Sequence, residues 1–139
     1  MEIVVNAIPK LGYDGDVGYD LRLRDDLEIP AGKRKTVKTT LCQIMPIQGF
    51  CMVMPKSGLT AAGVDVKPGI IDSRYRNLIG VTVVNNTDQT ISMTKGQKVA
   101  QLVYVAAVRP SFVVWPEEAI LKQEEGQRGL QGFGSTGLD

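Results

Sequence analysis

Pro68-Gly69-Ile70-Ile71-Asp72-Ser73-Arg74-Tyr75-Arg76-Asn77-Leu78-Ile79-Gly80-Val81-Thr82-Val83 reads as strand, turn, strand. Ile79, Val81 and Val83 share one side of its second half, the period-two signature of a half-buried strand. Between the halves, Ser73-Arg74 can form a two-residue hairpin loop, with Asp72 and Tyr75 facing each other across it and on the same face. Ser-Arg is a poor dipeptide for a type I′ turn. On the residues alone, two readings of this tip stay open. It is an exposed turn with a solvated carboxylate, or a general base beside an aromatic wall, with an oriented water as nucleophile.

The same alternation recurs outward in both directions. Leu21 and Leu23 alternate with Arg22 and Arg24, and Val99, Gln101, Val103 and Val105 share one side of another run. Val37, Thr39 and Leu41 suggest a strand, as do Ile91 with Met93 and Phe112 with Val114. Residues 43–54 read as two short strands around Pro46 and Gly49. Turn signals fall at Pro30-Ala31-Gly32, Gln48-Gly49, Pro68-Gly69, Asn85-Asn86-Thr87-Asp88 and Lys95-Gly96. Many short strands with frequent turns predict an all-β sandwich or barrel. Only residues 57–63 and 116–122 suit short helices, and no internal repeat is present.

Composition narrows the chemistry. The chain has 139 residues and a net charge of +1, so it lacks the basic field that non-specific nucleic-acid binding needs. It contains no histidine, which removes Ser-His-Asp and Cys-His catalysis and histidine metal ligands together. Cys42 and Cys51 have no CxxC spacing and are too few for a zinc site; they are expected to be free core thiols in a reducing compartment. The longest mostly apolar stretch, residues 99–108, is interrupted by Gln101 and too short to span a bilayer. The start, MEIVVNAIPK, lacks a basic region followed by a long apolar core, so no signal peptide is expected and the compartment is read as cytoplasmic.

Three further segments carry polar chemistry. Pro55-Lys56-Ser57-Gly58-Leu59-Thr60 ends an apolar run and offers N–H groups, a hydroxyl and a cation to a phosphate, although Ser57 serves equally as a plain N-cap. Gly96-Gln97-Lys98-Val99-Ala100-Gln101 sets Gln101 among apolar neighbours, where an amide needs partners. From Gln123 the sequence turns polar and then glycine-rich, with too little apolar content to fold alone. Arg128, Phe133, Ser135 and Thr136 stand there among Gly129, Gly132, Gly134 and Gly137. One cation, one ring, hydroxyls and accessible N–H groups suit a phosphate and a base.

Taken in order, GYDL (18–21), PKSGL (55–59), GIIDSRY (69–75), GQKVAQ (96–101) and RGLQGFGSTG (128–137) resemble the ordered motifs of the trimeric dUTPases. The resemblance runs from Gly18 to Gly137. It implies a distorted jelly roll, a β-clip type barrel, assembled as a homotrimer with sites shared between subunits. It also implies a domain over residues 1–122 and a flexible tail over residues 123–139 that closes over the active site. The implied reaction is hydrolysis of dUTP to dUMP and pyrophosphate, which supplies dUMP for dTTP synthesis and keeps uracil out of DNA. Asp72 matches the base that activates the attacking water, and Tyr75 the ring packed on deoxyribose. Backbone groups around Gly69, Ile70 and Ile71 would read the uracil edge. Lys56, Ser57, Gly58 and Gln101 match the phosphate contacts. Arg128 matches the γ-phosphate clamp, Phe133 the ring over uracil, and Gly134, Ser135 and Thr136 the tail's phosphate contacts. Asp20 and Lys98 match supporting residues near the metal-triphosphate region. Mg²⁺ would be held by phosphates and waters, with no direct protein ligand. Neither a membrane nor direct nucleic-acid binding is implied, and the compartment would be the cytoplasm, or the host cytoplasm or virion for a viral protein.

Some positions depart from the family pattern. Lys56 and Lys98 stand where arginine is usual, so pairing there loses the planar fork and is expected to be looser. Arg74, Asn77 and Gln131 replace an acidic or small residue, a glycine and a tail glycine. Two alternatives stand beside this reading, a relative on the same fold and a module of another class. In a dCTP deaminase, a glutamate follows the hairpin; residues 76–85 hold neither Glu nor Asp. A non-catalytic dUTP-binding regulator would be favoured by loss of Asp72, which is present.

Overall fold

A computed structural model of the chain describes residues 1–123; Arg128, Phe133, Gly134, Ser135 and Thr136 lie outside them. The chain divides into two compact units, Met1–Val108 and Arg109–Asp139.

The first unit is all-β. Its strands are β1 (Val4–Val5), β2 (Gly18–Arg22), β3 (Leu27–Ile29), β4 (Arg34–Lys38), β5 (Gln43–Ile44) and β6 (Gly49–Met54). A short helix, α1 (Ser57–Ala61), precedes β7 (Val64–Val66), β8 (Gly69–Ile71), β9 (Gly80–Asn85), β10 (Ile91–Met93) and β11 (Lys98–Ala106). One sheet has the order β2-β11-β6-β8 and another β4-β9-β7; β3 pairs with β10 and β1 with β5. Every one of these pairings is antiparallel. The strand order is non-consecutive, so connections cross between sheets, as a jelly roll requires.

Alternation fills one core. Leu21 and Leu23 are buried while Arg22 and Arg24 are exposed, and Ile79, Val81 and Val83 point inward together. Cys51 and Val53 of β6 and Ala100 and Leu102 of β11 join them, from the sheet that also carries Leu21. Inside the core, the Tyr104 hydroxyl donates to Gln43 Oε1 at 2.8 Å, and Gln43 Nε2 donates to Cys51 Sγ at 3.0 Å. Burial pushes the Cys51 thiol up, only partly offset by the Gln43 bond, so it stays protonated and is no nucleophile. Cys51 is the core thiol expected; Cys42 is half-buried, and both are free.

Several expectations are corrected. β11 does not alternate throughout: its register against β2 shifts between Lys98 and Ala100, so Val99 and Ala100 are both buried. Gln101, Val103 and Val105 then share the half-buried face. A bulge of this kind is set by the partner strand, which the local pattern does not encode. Pro68-Gly69 is no turn: Gly69 opens β8, and Lys67-Pro68 carries the chain out of β7's sheet. Proline holds its predecessor extended, which suits such a crossing. Ser73-Arg74 does form a turn, closed by Tyr75 N donating to Asp72 O at 3.1 Å. It is not a ladder hairpin, because β8 pairs with β6 while β9 pairs with β4 and β7. Among the described residues no non-glycine has positive φ, so the turn is not type I′.

In the second unit, Phe112 and Val114 form no strand. Phe112, Val113 and Val114 are 85%, 82% and 94% exposed. Apolar alternation makes a strand only where an edge supplies hydrogen bonds. The other element here is α2 (Glu117–Leu121), where a short helix was expected.

Candidate active site

Strand register builds one end of the site. Gln101 on β11 stands opposite Asp20 on β2 and opposite Met54 on β6, so these positions form a row across the sheet. The chain leaves β6 through Pro55 and Lys56 and turns into α1. Asp20 has a side chain only 4% exposed, and each carboxylate oxygen takes one ammonium: Lys56 Nζ lies 2.6 Å from Oδ1 and Lys98 Nζ 3.2 Å from Oδ2. Burial alone would raise the Asp20 pKa. The hydrogen bonds and charges of Lys56 and Lys98 together outweigh it and hold the carboxyl below its ordinary value. Each lysine thus meets one carboxylate oxygen, without the planar fork of an arginine.

Gln101 Nε2 donates to Pro55 O at 2.9 Å and ties β11 to the segment that delivers Lys56. Gly18 makes room for that amide, since a Cβ there would lie 2.0 Å from Gln101 Oε1. Ser57 is not the N-cap of α1: that position is Lys56, in extended geometry, and no side chain caps the helix. The first-turn N–H groups and the Ser57 hydroxyl are therefore not consumed by a cap. Beside them runs a groove of ≈ 470 Å³ lined by Arg22, Lys56, Gly58, Leu59, Gln97 and Lys98, with cations and no acid on its walls. Arg22 is anchored by its bond to Gly96 O at 2.9 Å. Sequence reasoning missed Arg22 and Gln97; their membership follows from the β2–β11 pairing.

The turn after β8 builds a second region. Asp72 is exposed, and among the described residues its carboxylate has no hydrogen-bond partner. Arg76 donates through Nη1 to Ser73 O and braces the turn. Tyr75 is half-buried, and its hydroxyl donates to Leu78 O at 2.9 Å. Lys38, which no sequence motif marked, reaches the same hydroxyl from β4 at 3.3 Å. Ile70 is 58% exposed beside Gly69 and Ile71, leaving this strand open on one face.

The structure brings Asp20, Lys56, Ser57, Gly58, Lys98 and Gln101 together. It does not bring Asp72 and Tyr75 to them within one chain. Ile71 stands opposite Cys51, so Asp72 continues toward Phe50, whereas Lys56 lies beyond Met54 at the other end of β6. From Phe50 to Met54 alone the strand runs about 13 Å, and Lys56 lies beyond its end. Among the described residues no three of His, Cys, Asp or Glu converge as a metal cage. No helix among them is long and apolar enough to cross a membrane.

The fold is thus all-β, with a groove walled by Arg22, Lys56 and Lys98 and a separate turn that carries an open carboxylate. Residues 6–137 match the dUTPase family model. The chain is 39% identical over 124 residues to the deoxyuridine 5'-triphosphate nucleotidohydrolase of cowpox virus, covering 89% of this chain and 81% of that protein. It is equally similar to the monkeypox virus enzyme, 39% identical over 89% of this chain and 79% of the other. Among solved structures, the EIAV dUTPase is 30% identical with a TM-score of 0.72, over 84% of this chain and 98% of the other. The Staphylococcus bacteriophage 80alpha dUTPase with dUPNHPP shares the fold at a TM-score of 0.85 and 20% identity, over 99% of both chains. This chain belongs to the dUTPase family.

Proposed function

We propose that this protein hydrolyses dUTP to dUMP and pyrophosphate. What carries the reading is the open Asp72 carboxylate held in a turn beside Tyr75, in a chain whose relatives are named deoxyuridine 5'-triphosphate nucleotidohydrolases. Asp72 takes a proton from a water. The water oxygen bonds to the α-phosphorus, the bond from that phosphorus to the bridging oxygen breaks, and pyrophosphate leaves. Tyr75 packs on deoxyribose, and the backbone of Gly69, Ile70 and Ile71 reads uracil. Lys56, Ser57, Gly58 and Gln101 bind phosphate oxygens at the cationic groove. Positioning and charge stabilisation of this kind are most of what phosphoryl chemistry asks of a protein.

Mg²⁺ fits this donor set only as a phosphate-held ion. Both oxygens of Asp20 already face lysine ammonium groups, so Asp20 supports the region through them or through water. When bound, Mg²⁺ neutralises the triphosphate charge.

The working enzyme in this reading is a homotrimer with shared sites. Catalytic groups must stand within about 3–3.5 Å of the reacting atoms. Asp72 and Lys56 sit at opposite ends of β6, so a second copy must supply one of them. Exposed Phe112, Val113 and Val114 also favour association with another copy. Residues 1–122 form the catalytic domain and residues 123–139 the closing tail, through Arg128, Phe133, Gly134, Ser135 and Thr136. The free thiols Cys42 and Cys51 suit a cytoplasmic location. In the cell the reaction supplies dUMP and keeps uracil out of DNA.

The test mixes purified protein with Mg²⁺ and dUTP, UTP or dCTP, and follows pyrophosphate and ammonia. Pyrophosphate from dUTP alone is expected. Ammonia from dCTP would make the protein a deaminase, and no product from dUTP would make it a binding module.

A further inference from the structure

We propose that Lys38 is a positioning residue for Tyr75 and thereby sets how strictly the enzyme separates dUTP from UTP. This rests on the reading of Tyr75 as the ring against deoxyribose. Lys38 is the last residue of β4, and its cross-strand partner on β9 is Gly80. Glycine places no side chain between the Lys38 stem and the turn beyond it. The ammonium donates to the Tyr75 hydroxyl and to the Leu78 carbonyl, each at 3.3 Å. The Tyr75 hydroxyl in turn donates to that same carbonyl at 2.9 Å. The hydroxyl proton is thereby committed to Leu78, and an oxygen lone pair is left for Lys38.

Tyr75 is therefore held at both ends. Its backbone N–H bonds to Asp72 O, which ties the ring's base to the residue assigned as general base. Its para end is held by a lysine from another strand, at a sequence separation of 37 residues. Rejection of a 2′-hydroxyl by steric clash depends on where the ring stands, because a ring free to swing by a fraction of an ångström admits the extra oxygen. An exposed lysine on an edge strand ordinarily serves to discourage strand pairing and leaves its ammonium in water. Lys38 instead directs its ammonium onto two acceptors of the turn. The bonds are solvent-exposed, so the expected effect is modest.

The experiment measures kcat and KM for dUTP and for UTP in wild type, Lys38→Met, Lys38→Arg, Tyr75→Phe and the Lys38→Met/Tyr75→Phe double variant, with far-UV circular dichroism and sedimentation on each. Lys38→Met is expected to lower the dUTP:UTP ratio of kcat/KM by about three- to tenfold, the scale of one hydrogen bond. The change should sit mainly in KM. Tyr75→Phe removes the same contact from the other side together with the bond to Leu78 O, and should lower the ratio at least as much. The double variant should show no loss beyond that of Tyr75→Phe alone, because Lys38 acts through the hydroxyl that phenylalanine already lacks. Lys38→Arg keeps a donor and should retain most of the discrimination. If wild type discriminates but Lys38→Met or Tyr75→Phe keeps the full ratio, or if the two losses add, the proposal is overturned and the reading of Tyr75 stands. If wild type itself turns over UTP as well as dUTP, the reading of Tyr75 falls, and the role of Lys38 falls with it. Should Lys38→Met not assemble, Lys38→Leu takes its place by the same criterion.

Discussion

Asp72 and Asp20 are both carboxylates of the candidate site, and their surroundings assign them opposite work. Asp72 is exposed and its carboxylate has no hydrogen-bond partner among the described residues, so it is open to a bound water. Asp20 is buried and spoken for by two ammonium groups, so it stays ionised. Asp72→Asn keeps the shape of the turn but cannot take a proton. Its kcat should fall by about 10² or more while a non-hydrolysable dUTP analogue still binds. Turnover near wild type would reduce Asp72 to a turn residue. Asp20→Asn should cost stability instead, about 1–2 kcal/mol at pH 7, because it leaves Lys56 and Lys98 facing each other without their anion while both remain partly hydrated. The sign of its pH dependence follows from the lowered folded-state pKa of Asp20. A depressed carboxylate contributes stability above its unfolded value, near about 3.9, and loses it as pH falls through the folded value. Urea unfolding at fixed protomer concentration should therefore show a wild-type advantage that is full at pH 7 and shrinks below about pH 4. An advantage independent of pH would mean that the ion pairs do not carry it. The motif GYDL pointed to Asp20, but its pairing with Lys56, 36 residues away, was not legible, since only the sheet joins them.

At the scale of elements, the strands were legible wherever one face is buried and the pairing is regular. Ile79, Val81 and Val83 predict β9 because a one-residue slip would expose all of them. The failures share one cause, which is dependence on a partner strand. The β11 bulge exists only in relation to β2, and Phe112 to Val114 lack a strand because no edge is offered to them within the described residues. The Asp72–Tyr75 turn was legible, but the ladder was not, as β8 and β9 find other neighbours. The contact between β2 and β11 at Gly18 gives a prediction at this scale. Gly18→Ala would place a Cβ on Gln101 Oε1, and the amide can yield because it ends a flexible side chain. Swinging away, it gives up Pro55 O and with it the tie between β11 and the segment carrying Lys56. The fold should survive with a stability loss of about 1 kcal/mol, the scale of one hydrogen bond. KM for dUTP should rise about three- to tenfold as the phosphate groove loosens, with a smaller change in kcat. Thermal melting and steady-state kinetics check both effects. An unchanged KM would show that Gln101 holds the fold and not the substrate.

For the whole molecule, β6 is the ruler. Gly69 opposite Val53 and Ile71 opposite Cys51 send Asp72 away from the end where Gln101, Lys56 and Asp20 gather. The sequence motifs named both groups of residues yet could not say that one chain keeps them toward opposite ends of β6, because strand register is a property of the folded sheet. If separate copies complete each site, two inactive chains can repair each other. Asp72→Asn leaves the phosphate groove intact, and Lys56→Gln leaves the turn intact. Each alone should be nearly inactive. Unfolded together at equal amounts and refolded, they should assemble at random, and about a quarter of sites should then hold a good Asp72 from one chain and a good Lys56 from another. Activity should accordingly recover to about a quarter of wild type, which far exceeds the sum of the parents. Asp72→Asn mixed with a chain lacking residues 126–139 extends the test to the tail, since recovery there requires that the chain supplying Asp72 not be the one supplying Arg128 and Phe133. Sedimentation should show the mixed species as trimers. If a single chain supplied both Asp72 and Lys56 to one site, every site in the first mixture would carry a defect, and no recovery could occur at any ratio. An active monomer at working concentration would refute the shared site just as directly. It would require the two ends of β6 to meet on one substrate, against the register that β8 imposes.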